Sequence, residues 1–245
     1  MHEFRLIVDQ PSSGAWNMAA DEWLLNSNTS TPVLRFYEWS EPTLSLGYFQ
    51  SMHSRQQHPA SIDCNVVRRA SGGGAILHDH ELTYSFAVPT SDRFARTAED
   101  VYSSFHQTLI STLEHWNVTA RQAENRDVER YGSESFLCFQ RRSTGDVLLD
   151  DHKIAGSAQR RKSDKILQHG SVLLKASQFA AELPGINDLG RESVTICELI
   201  KRWSERLCSE FSCQLVSIPF SDDEKKNIDE LRLQKFESLE WLGKR

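Results

Sequence analysis

Short apolar segments bounded by turn-forming residues dominate the first third of the chain, and they constrain its fold more than any other feature. Five such segments have the length and composition that are typical of β-strands: residues 5–8, 33–39, 43–50, 65–69 and 81–88. Glu41-Pro42 predicts a turn between the second and the third. Strands that arrive mainly as hairpins predict an α+β fold with a central mixed, largely antiparallel sheet flanked by helices.

Two helices are predicted before the middle of the chain. The early helix has Asn17 as its candidate N-cap and is indicated by apolar residues at helical spacing: Trp16, Ala20, Trp23 and Leu24. The central helix is predicted from about Thr97 to Trp116, because its apolar residues share one face and because Thr97 and Asp100 fit a capping box.

The rest of the chain predicts a strand hairpin and then a helical portion. The hairpin turns at Asp150 to His152, and a further strand follows at 166–174. From about residue 177 onwards we expect mainly helix, including a helix capped by Ser221 and Glu224. Because no repeat and no long linker interrupts the sequence, residues 1–245 are expected to form a single domain.

Charge and hydropathy exclude several classes of protein. Lys and Arg total 28 against 34 Asp and Glu, and the net charge of -6 argues against a nucleic-acid partner. No apolar run approaches the roughly 18 residues that span a bilayer. The N-terminus also lacks the regions of a signal peptide, so we expect a cytoplasmic protein without a membrane partner. The five cysteines form no CxxC pair, which argues against disulfides and structural zinc.

A glycine-rich loop is the first candidate site. Arg68 and Arg69 precede three consecutive glycines, Gly72 to Gly74. Such glycines let the backbone approach a ligand and point N–H groups at an anion or a carbonyl oxygen. The segment is neither a P-loop nor a complete GxGxxG motif. A flexible hairpin turn is the alternative, and the two arginines favour a site.

Small residues mark a second candidate segment, 153–159, which begins with Lys153. A strand of this kind leaves room for a bulky ligand, and Lys153 could offer its charge to a carbonyl or phosphate. A solvated turn lysine is the alternative. His78 and His80 share a strand face, but His169 is the single other histidine in a motif-like setting, so we predict no metal site.

Cys138 is the third candidate. Arg141 and Arg142 follow it closely, and neighbouring cations favour the thiolate that acts as a nucleophile. Phe136 and Phe139 support the competing interpretation of a core cysteine equally well.

Six segments, in this order, resemble the biotin/lipoate protein ligase superfamily in its branch of lipoate-protein ligases and octanoyltransferases. They are NMAADE (17–22), LRFYEW with PTLSLGYFQ (34–50), RRASGGGAILHDHELTYS (68–85), CFQ (138–140), KIAGSAQRR (153–161) and QHGSVLL (168–174). The resemblance implies the biotin/lipoate protein ligase catalytic domain fold, with a tunnel for an eight-carbon acyl chain. The Cys-Phe pair ahead of the Lys-Ile-x-Gly strand is most similar to the octanoyl-[acyl carrier protein]:protein N-octanoyltransferase branch.

The resemblance also implies a set of site residues. Cys138 would be the nucleophile, and Lys153 would stabilise the oxyanion at the acyl carbonyl. The acyl site would be lined by Arg69, Ser71, Gly72, Gly73, Gly74, His78, Gly156, Ser157, Ala158, His169 and Gly170.

The activity implied by the resemblance is octanoyl transfer in protein lipoylation. The donor would be octanoyl-acyl carrier protein, and the acceptors would be lipoyl domains of 2-oxoacid dehydrogenases and the glycine cleavage H protein. No cofactor is required. The alternatives are an ATP-dependent lipoate-protein ligase using ATP and Mg, an octanoyl amidotransferase between lipoyl domains, and a non-catalytic acyl-binding protein.

A group of cations surrounds the second and third candidates: Arg141, Arg142, Arg160, Arg161, Lys162 and Lys165. Acyl carrier proteins and lipoyl domains are commonly acidic, so this group is a candidate docking surface. The alternative interpretation is a set of solvated charges, and the sequence favours neither of the two.

Overall fold

The computed structural model describes residues 2–92, 98–131, 135–162, 164–190 and 192–244. Its strands are β1 (His2–Val8), β2 (Val33–Tyr37), β3 (Thr43–Leu46), β4 (Asn65–Arg68), β5 (Ile76–His78), β6 (Glu81–Pro89), β7 (Ala120–Gln122), β8 (Val147–Leu149), β9 (His152–Arg161), β10 (Lys165–Leu173) and β11 (Cys213–Ser217). Its α-helices are α1 (Gly14–Asn26), α2 (Ala98–Leu113), α3 (Asn125–Tyr131), α4 (Ile186–Leu189), α5 (Ile196–Phe211), α6 (Asp222–Leu231) and α7 (Leu239–Leu242).

The strands form a large sheet and a small one. The large sheet has the order β11-β1-β2-β6-β10-β9-β8-β7, and the small sheet has the order β4-β3-β5. In the large sheet β1 pairs in parallel with β2 and β11, whereas the other neighbours are antiparallel. This arrangement confirms the expected α+β class and the mixed, largely antiparallel sheet.

Two strand relationships differ from the expectations. The turn at Glu41-Pro42 leads from β2 in the large sheet to β3 in the small sheet, so these strands do not form a hairpin. β2 is buried throughout its length, because β1 and β6 pair with its two edges and the apolar clusters on both faces of the sheet include its side chains. Strand β11 lies in the portion predicted to be helical, where it extends the sheet beside β1. Its Gln214 and Ser217 are polar and exposed, so the segment lacks the apolar alternation expected of a strand.

Helix α1 begins earlier than its sequence suggests, and the prediction of Asn17 as its N-cap is wrong. Ser13 is the N-cap and accepts a hydrogen bond from the Trp16 amide. Asn17 is buried inside the helix, where its Oδ1 accepts a hydrogen bond from Arg35 at 2.8 Å. A tertiary partner therefore accounts for an asparagine at this position. The capping box predicted at Thr97 lies outside the described residues.

The other helix predictions are confirmed. α2 continues into a 3-10 helix that ends at Trp116, and α5 lies in the portion expected to be helical, with Trp203 on its buried face. Ser221 and Glu224 form the capping box of α6. Among the described residues no helix is long and apolar enough to cross a membrane.

The helices cover the two faces of the large sheet, and each face has its own apolar cluster. α2 and α5 pack on one face around Phe105 and Trp203. α1 and the C-terminal helices pack on the other face around Leu24 and Phe236. The small sheet has a third cluster, which includes Leu137 next to Cys138. The segment that carries Cys138 is thereby attached to the small sheet.

Candidate active site

The candidate site is a pocket of about 290 Å³ along the α1 face of the large sheet. Four of its lining residues are register partners on neighbouring strands and form what we call the floor row: Tyr37 on β2, Thr83 on β6, Ser171 on β10 and Gly156 on β9. With neighbouring strands about 4.8 Å apart, the floor row extends about 14 Å. Such a pocket has the size and shape of a site for an elongated small molecule.

Cys138 and Lys153 meet in this pocket. Cys138 begins a 3-10 helix, Cys138–Gln140, and its Sγ lies 3.8 Å from the Nζ of Lys153 at the start of β9. The Lys153 side chain is 3% exposed and forms an ion pair with Asp146 at 2.8 Å. The alternative of a solvated turn lysine therefore does not describe Lys153. Gly156 makes room for this pair, because a Cβ there would come 2.5 Å from the Lys153 Cε.

Asp146 is a functional candidate that the sequence motifs do not indicate. Its carboxylate is buried and accepts hydrogen bonds from the Ser143 amide at 2.7 Å and the Tyr102 hydroxyl at 3.1 Å. Burial, reinforced by the negative charge of Asp146, raises the pKa of Tyr102 far above its usual value. The Tyr102 hydroxyl thus remains a donor that fixes the carboxylate beside Lys153. A lone aspartate before a short apolar strand carries no sequence pattern that could have indicated this role.

Arg69 shapes the glycine-rich loop from within. Its guanidinium donates to the carbonyl oxygens of Gly72 at 2.8 Å, Gly74 at 2.6 Å and Ser45 at 2.9 Å. Burial lowers the pKa of Arg69 to about 10, so the group stays charged at neutral pH. Gly73 adopts a φ of 95°, a conformation that favours glycine. Arg69, Gly72 and Gly73 line the pocket, with the loop held closed around the guanidinium.

The loop is also joined to the segment that carries the thiol. The Ala75 amide donates to the Phe136 carbonyl at 2.9 Å, and the Cys138 amide donates to the Ala75 carbonyl at 2.7 Å. Gly74 does not line the pocket, in contrast to its predicted role. A Cβ at Gly74 would come 3.0 Å from the Phe136 carbonyl oxygen, so this glycine permits the close approach of the two segments.

Ser71 belongs to a hydrogen-bonded chain beside the pocket and does not line the pocket itself. Its Oγ lies 2.5 Å from the Nε2 of His169, whose Nδ1 lies 3.2 Å from the Oδ2 of Asp21. Burial by itself raises the pKa of Asp21, but the hydrogen bond from His169 and the charge of Arg35 outweigh burial and lower it. The chain attaches the glycine-rich loop to β10 and to α1, through an aspartate of the NMAADE segment that was not among the predicted site residues.

His78 lies in a closed network at the pocket wall. Its ring stacks on Trp39 with centroids 3.8 Å apart, and its nitrogens contact the Ser45 Oγ at 2.8 Å and the Glu81 Oε1 at 2.6 Å. Burial lowers the pKa of His78 although Glu81 opposes that shift. Both ring nitrogens are therefore occupied by protein groups. Among the described residues no group of three or more His, Cys, Asp or Glu is arranged to hold a metal ion.

Ser157 is held by groups from the opposite face of the sheet. Its Oγ lies 2.7 Å from the Tyr84 hydroxyl and 2.7 Å from the Nε2 of His106. The Nδ1 of His106 lies 2.6 Å from the Gly145 carbonyl and donates to it, so Nε2 accepts from Ser157. Burial lowers the pKa of His106 to about 4. The sequence around His106 contains no motif, so sequence analysis could not indicate that this helix residue contacts Ser157.

All the predicted site residues except Ser71 and Gly74 line this pocket. They are Cys138, Lys153, Arg69, Gly72, Gly73, His78, Gly156, Ser157, Ala158, His169 and Gly170.

The cationic group around the site is only partly available at the surface. Arg142 is buried and donates to the carbonyls of Phe139 at 2.9 Å and Asp151 at 2.6 Å. Lys165 is buried against the Ser27 carbonyl at 2.5 Å. These two cations therefore stabilise the fold and do not contribute to a docking surface, because backbone carbonyls already surround them.

Comparisons with known proteins agree with this geometry. Residues 13–202 match the family model described as the lipoyl protein ligase A/B catalytic domain. The octanoyltransferase LipM of Bacillus anthracis is 31% identical over 270 aligned positions, which cover 95% of each chain. LipM of Staphylococcus aureus is 31% identical over 262 positions, 93% of each. The bi-partite lipoate protein ligase of Thermoplasma acidophilum has a TM-score of 0.78 at 19% identity, covering 99% of this chain and 96% of that one. The structural likeness confirms the predicted fold.

Proposed function

The chain belongs to the lipoyl protein ligase A/B catalytic domain family, and from this premise we propose that it transfers octanoyl groups through a thioester on Cys138. The observation that carries the proposal is the contact between the Cys138 Sγ and the Lys153 Nζ at 3.8 Å in the wall of the pocket. A thiol beside a buried ammonium suits nucleophilic catalysis, because the cation stabilises the thiolate. The LipM relatives carry the name octanoyltransferase, which supports the choice of acyl group.

The first step forms the acyl-enzyme. The Cys138 thiolate attacks the thioester carbonyl of octanoyl-acyl carrier protein, and the C–S bond to the carrier breaks. The carrier thiolate leaves and takes up a proton. The Lys153 ammonium lies where it can donate a hydrogen bond to the developing oxyanion, while Asp146 holds that ammonium in place. The scheme uses no nucleotide and no metal, since the thioester is already an activated acyl group.

The second step forms the product amide. The neutral amine of an acceptor lysine attacks the Cys138 thioester, a C–N bond forms, and the C–S bond to Cys138 breaks. The amine gives up a proton, and the Cys138 thiolate is restored. We take the acceptor to be a lipoyl domain of a 2-oxoacid dehydrogenase or the glycine cleavage H protein. The structural relative from Thermoplasma acidophilum is described together with its E2 lipoyl domain, which supports this acceptor class.

The dimensions of the pocket support an acyl chain of this length. An extended octanoyl chain spans about 9 Å, given C–C single bonds of about 1.5 Å. The floor row extends about 14 Å from β9 to β2 and provides that length. Tyr37 and Thr83 lie at the end of the row remote from Gly156, so the chain would lie across the strands with its thioester near Lys153.

The test is intact-protein mass spectrometry after mixing the protein with octanoyl-acyl carrier protein without ATP. We expect an octanoyl adduct on the wild-type protein that hydroxylamine removes, and none on Cys138→Ala. Cys64→Ala is a matched control, since Cys64 is buried in the cluster under the small sheet. This control should retain the adduct.

A different result would replace the proposal. Attachment of free octanoate to a lipoyl domain only when ATP is supplied, with equal rates in wild type and Cys138→Ala, would identify a ligase. Acylation from an octanoylated lipoyl domain but not from acyl carrier protein would keep the thioester mechanism and change the donor.

A further inference from the structure

The elements around the pocket indicate how an acyl chain would be oriented in it. The 3-10 helix that carries Cys138 packs against β9, whereas α1 packs against β4, β6 and β10. A wide groove of about 930 Å³ adjoins the pocket and shares Ser143, Ser157 and Gln159 with it. The reacting end of a chain therefore lies at β9 near the groove, and its methyl end lies under α1.

Met18 is the residue of α1 that faces this end of the pocket. Its side chain is buried at 4% exposure and lines the pocket together with Tyr37 and His169. Asp21, one helical turn further along, accepts a hydrogen bond from the Tyr37 hydroxyl at 2.9 Å and lies 3.2 Å from the His169 ring. Residues three apart share a helix face, so Met18 lies on the face of α1 that Asp21 joins to Tyr37 and His169.

A second, much smaller cavity lies behind Met18. It measures about 10 Å³, and Met18 and His169 line both this cavity and the acyl pocket. Its other walls include Leu25, Ala70 and Leu167. The Met18 side chain thus separates the pocket from a space between α1 and β10 that the proposed reaction does not use.

We propose that Met18 sets the maximum acyl length that this protein accepts. The inference rests on the proposed function, because it assigns the methyl end of the chain to the wall that Met18 forms. Met18→Ala removes three heavy atoms from that wall and joins the pocket to the small cavity. The enlarged space has room for about two further methylenes, so a decanoyl chain fits where octanoyl is the limit in the wild type.

The test compares octanoyl-acyl carrier protein with decanoyl-acyl carrier protein as donors. We expect the ratio of decanoyl to octanoyl acylation rates to rise at least tenfold in Met18→Ala, since one or two methylenes in an apolar pocket are worth about that factor. Met18→Val, which shortens the side chain with less loss of packing, should shift the ratio in the same direction by a smaller factor.

Leu25→Ala is the matched control. Leu25 lies on the same helix, is equally buried and lines the small cavity, but it does not line the acyl pocket. Its truncation should cost a similar amount of stability and leave the donor ratio unchanged. An unchanged ratio in both Met18 variants, with normal octanoyl acylation, would overturn the inference and leave the proposed function in place.

A binding measurement separates the inference from the chemistry. Octanoate and decanoate are titrated calorimetrically into Cys138→Ala and into Cys138→Ala combined with Met18→Ala. We expect the affinity ratio of decanoate to octanoate to rise at least tenfold in the double variant, whether or not Cys138 accepts an acyl group. Equal ratios in the two proteins, or no binding of either acid, would overturn the inference.

Discussion

Lys153 is a buried cation whose position depends on one carboxylate. Asp146 lies 2.8 Å from its Nζ, and both side chains are almost fully excluded from solvent. A buried charge pair of this kind costs desolvation free energy, and loss of one partner leaves the other uncompensated. The ammonium is consequently held beside the Cys138 Sγ in one orientation, which a flexible surface lysine would not provide.

Asp146→Asn should impair acylation through Lys153. We expect the rate constant for acylation to fall about 100-fold with little change in KM, the size of effect typical of losing one donor to the oxyanion. The free energy of unfolding should fall by about 3 kcal/mol. Stopped-flow acylation at a series of donor concentrations and urea denaturation measure these effects.

Tyr102→Phe provides the comparison for this variant. It removes a single hydrogen bond to Asp146 and leaves the ion pair intact. Its effect on stability should stay near 1 kcal/mol. Wild-type acylation in Asp146→Asn would show that Lys153 needs no positioning carboxylate.

At the scale of elements, the site depends on the way β9 passes between two layers. Gly156, Ser157 and Ala158 all line the pocket, and Ser157 also contacts the helical layer through His106 of α2. Because side chains alternate along a strand, the Ser157 hydroxyl reaches the α2 side of the sheet although the residue also lines the pocket. The pocket wall is therefore coupled to a helix on the opposite side of the sheet.

His106 should lower the free energy of unfolding as the pH falls below 7. Burial lowers its folded-state pKa to about 4 from the usual 6.5, so between these values the unfolded chain binds a proton that the folded protein does not. The free energy of unfolding then decreases as the pH falls, by about 2 kcal/mol between pH 7 and pH 5. Urea denaturation at both pH values measures the difference.

His106→Gln isolates this contribution. Its amide can still meet the Ser157 hydroxyl, but it does not titrate. The decrease between pH 7 and pH 5 should be smaller in the variant by about 2 kcal/mol, because the other titrating groups remain and cancel. Identical decreases in both proteins would show that His106 is not a low-pKa group in the fold.

At the scale of the whole molecule, helix α7 is hydrogen-bonded to Arg68, the residue that precedes the glycine-rich loop. The Arg68 guanidinium donates to the Leu242 carbonyl at 2.8 Å and to the Gln50 carbonyl at 2.6 Å. In return the Trp241 Nε1 donates to the Arg68 carbonyl at 2.9 Å. Contacts across more than 170 residues of sequence thus support the segment that leads into the site.

Trp241→Ala should destabilise the whole molecule. The indole is buried against the α1 face and also bonds to Arg68, so we expect a loss of about 3–5 kcal/mol in the free energy of unfolding. Leu239→Ala is the matched control in the same helix, since its side chain is 85% exposed and should change stability by less than about 0.5 kcal/mol. Equal stabilities of the two variants by urea denaturation would contradict this role of α7.

The sequence by itself determined most strands and helices, the glycine-rich loop and the choice of Cys138 and Lys153 as candidates. These features rest on local patterns, namely apolar periodicity, turn residues and motifs with fixed spacing. Such patterns need no knowledge of distant contacts, which is why the fold class could be predicted, whereas the full set of residues that line the pocket was expected from the family resemblance. Their chemical roles remain proposals.

Only the tertiary structure decided which polar residues act together. Asp146 became the partner of Lys153, Asn17 became a buried partner of Arg35, and Arg142 proved to be buried. Each of these roles arises because segments that are distant in sequence contact the residue or bury it. The physical reason is that desolvation and hydrogen-bond partners arise only when the layers pack together, and a residue's sequence neighbours do not determine either.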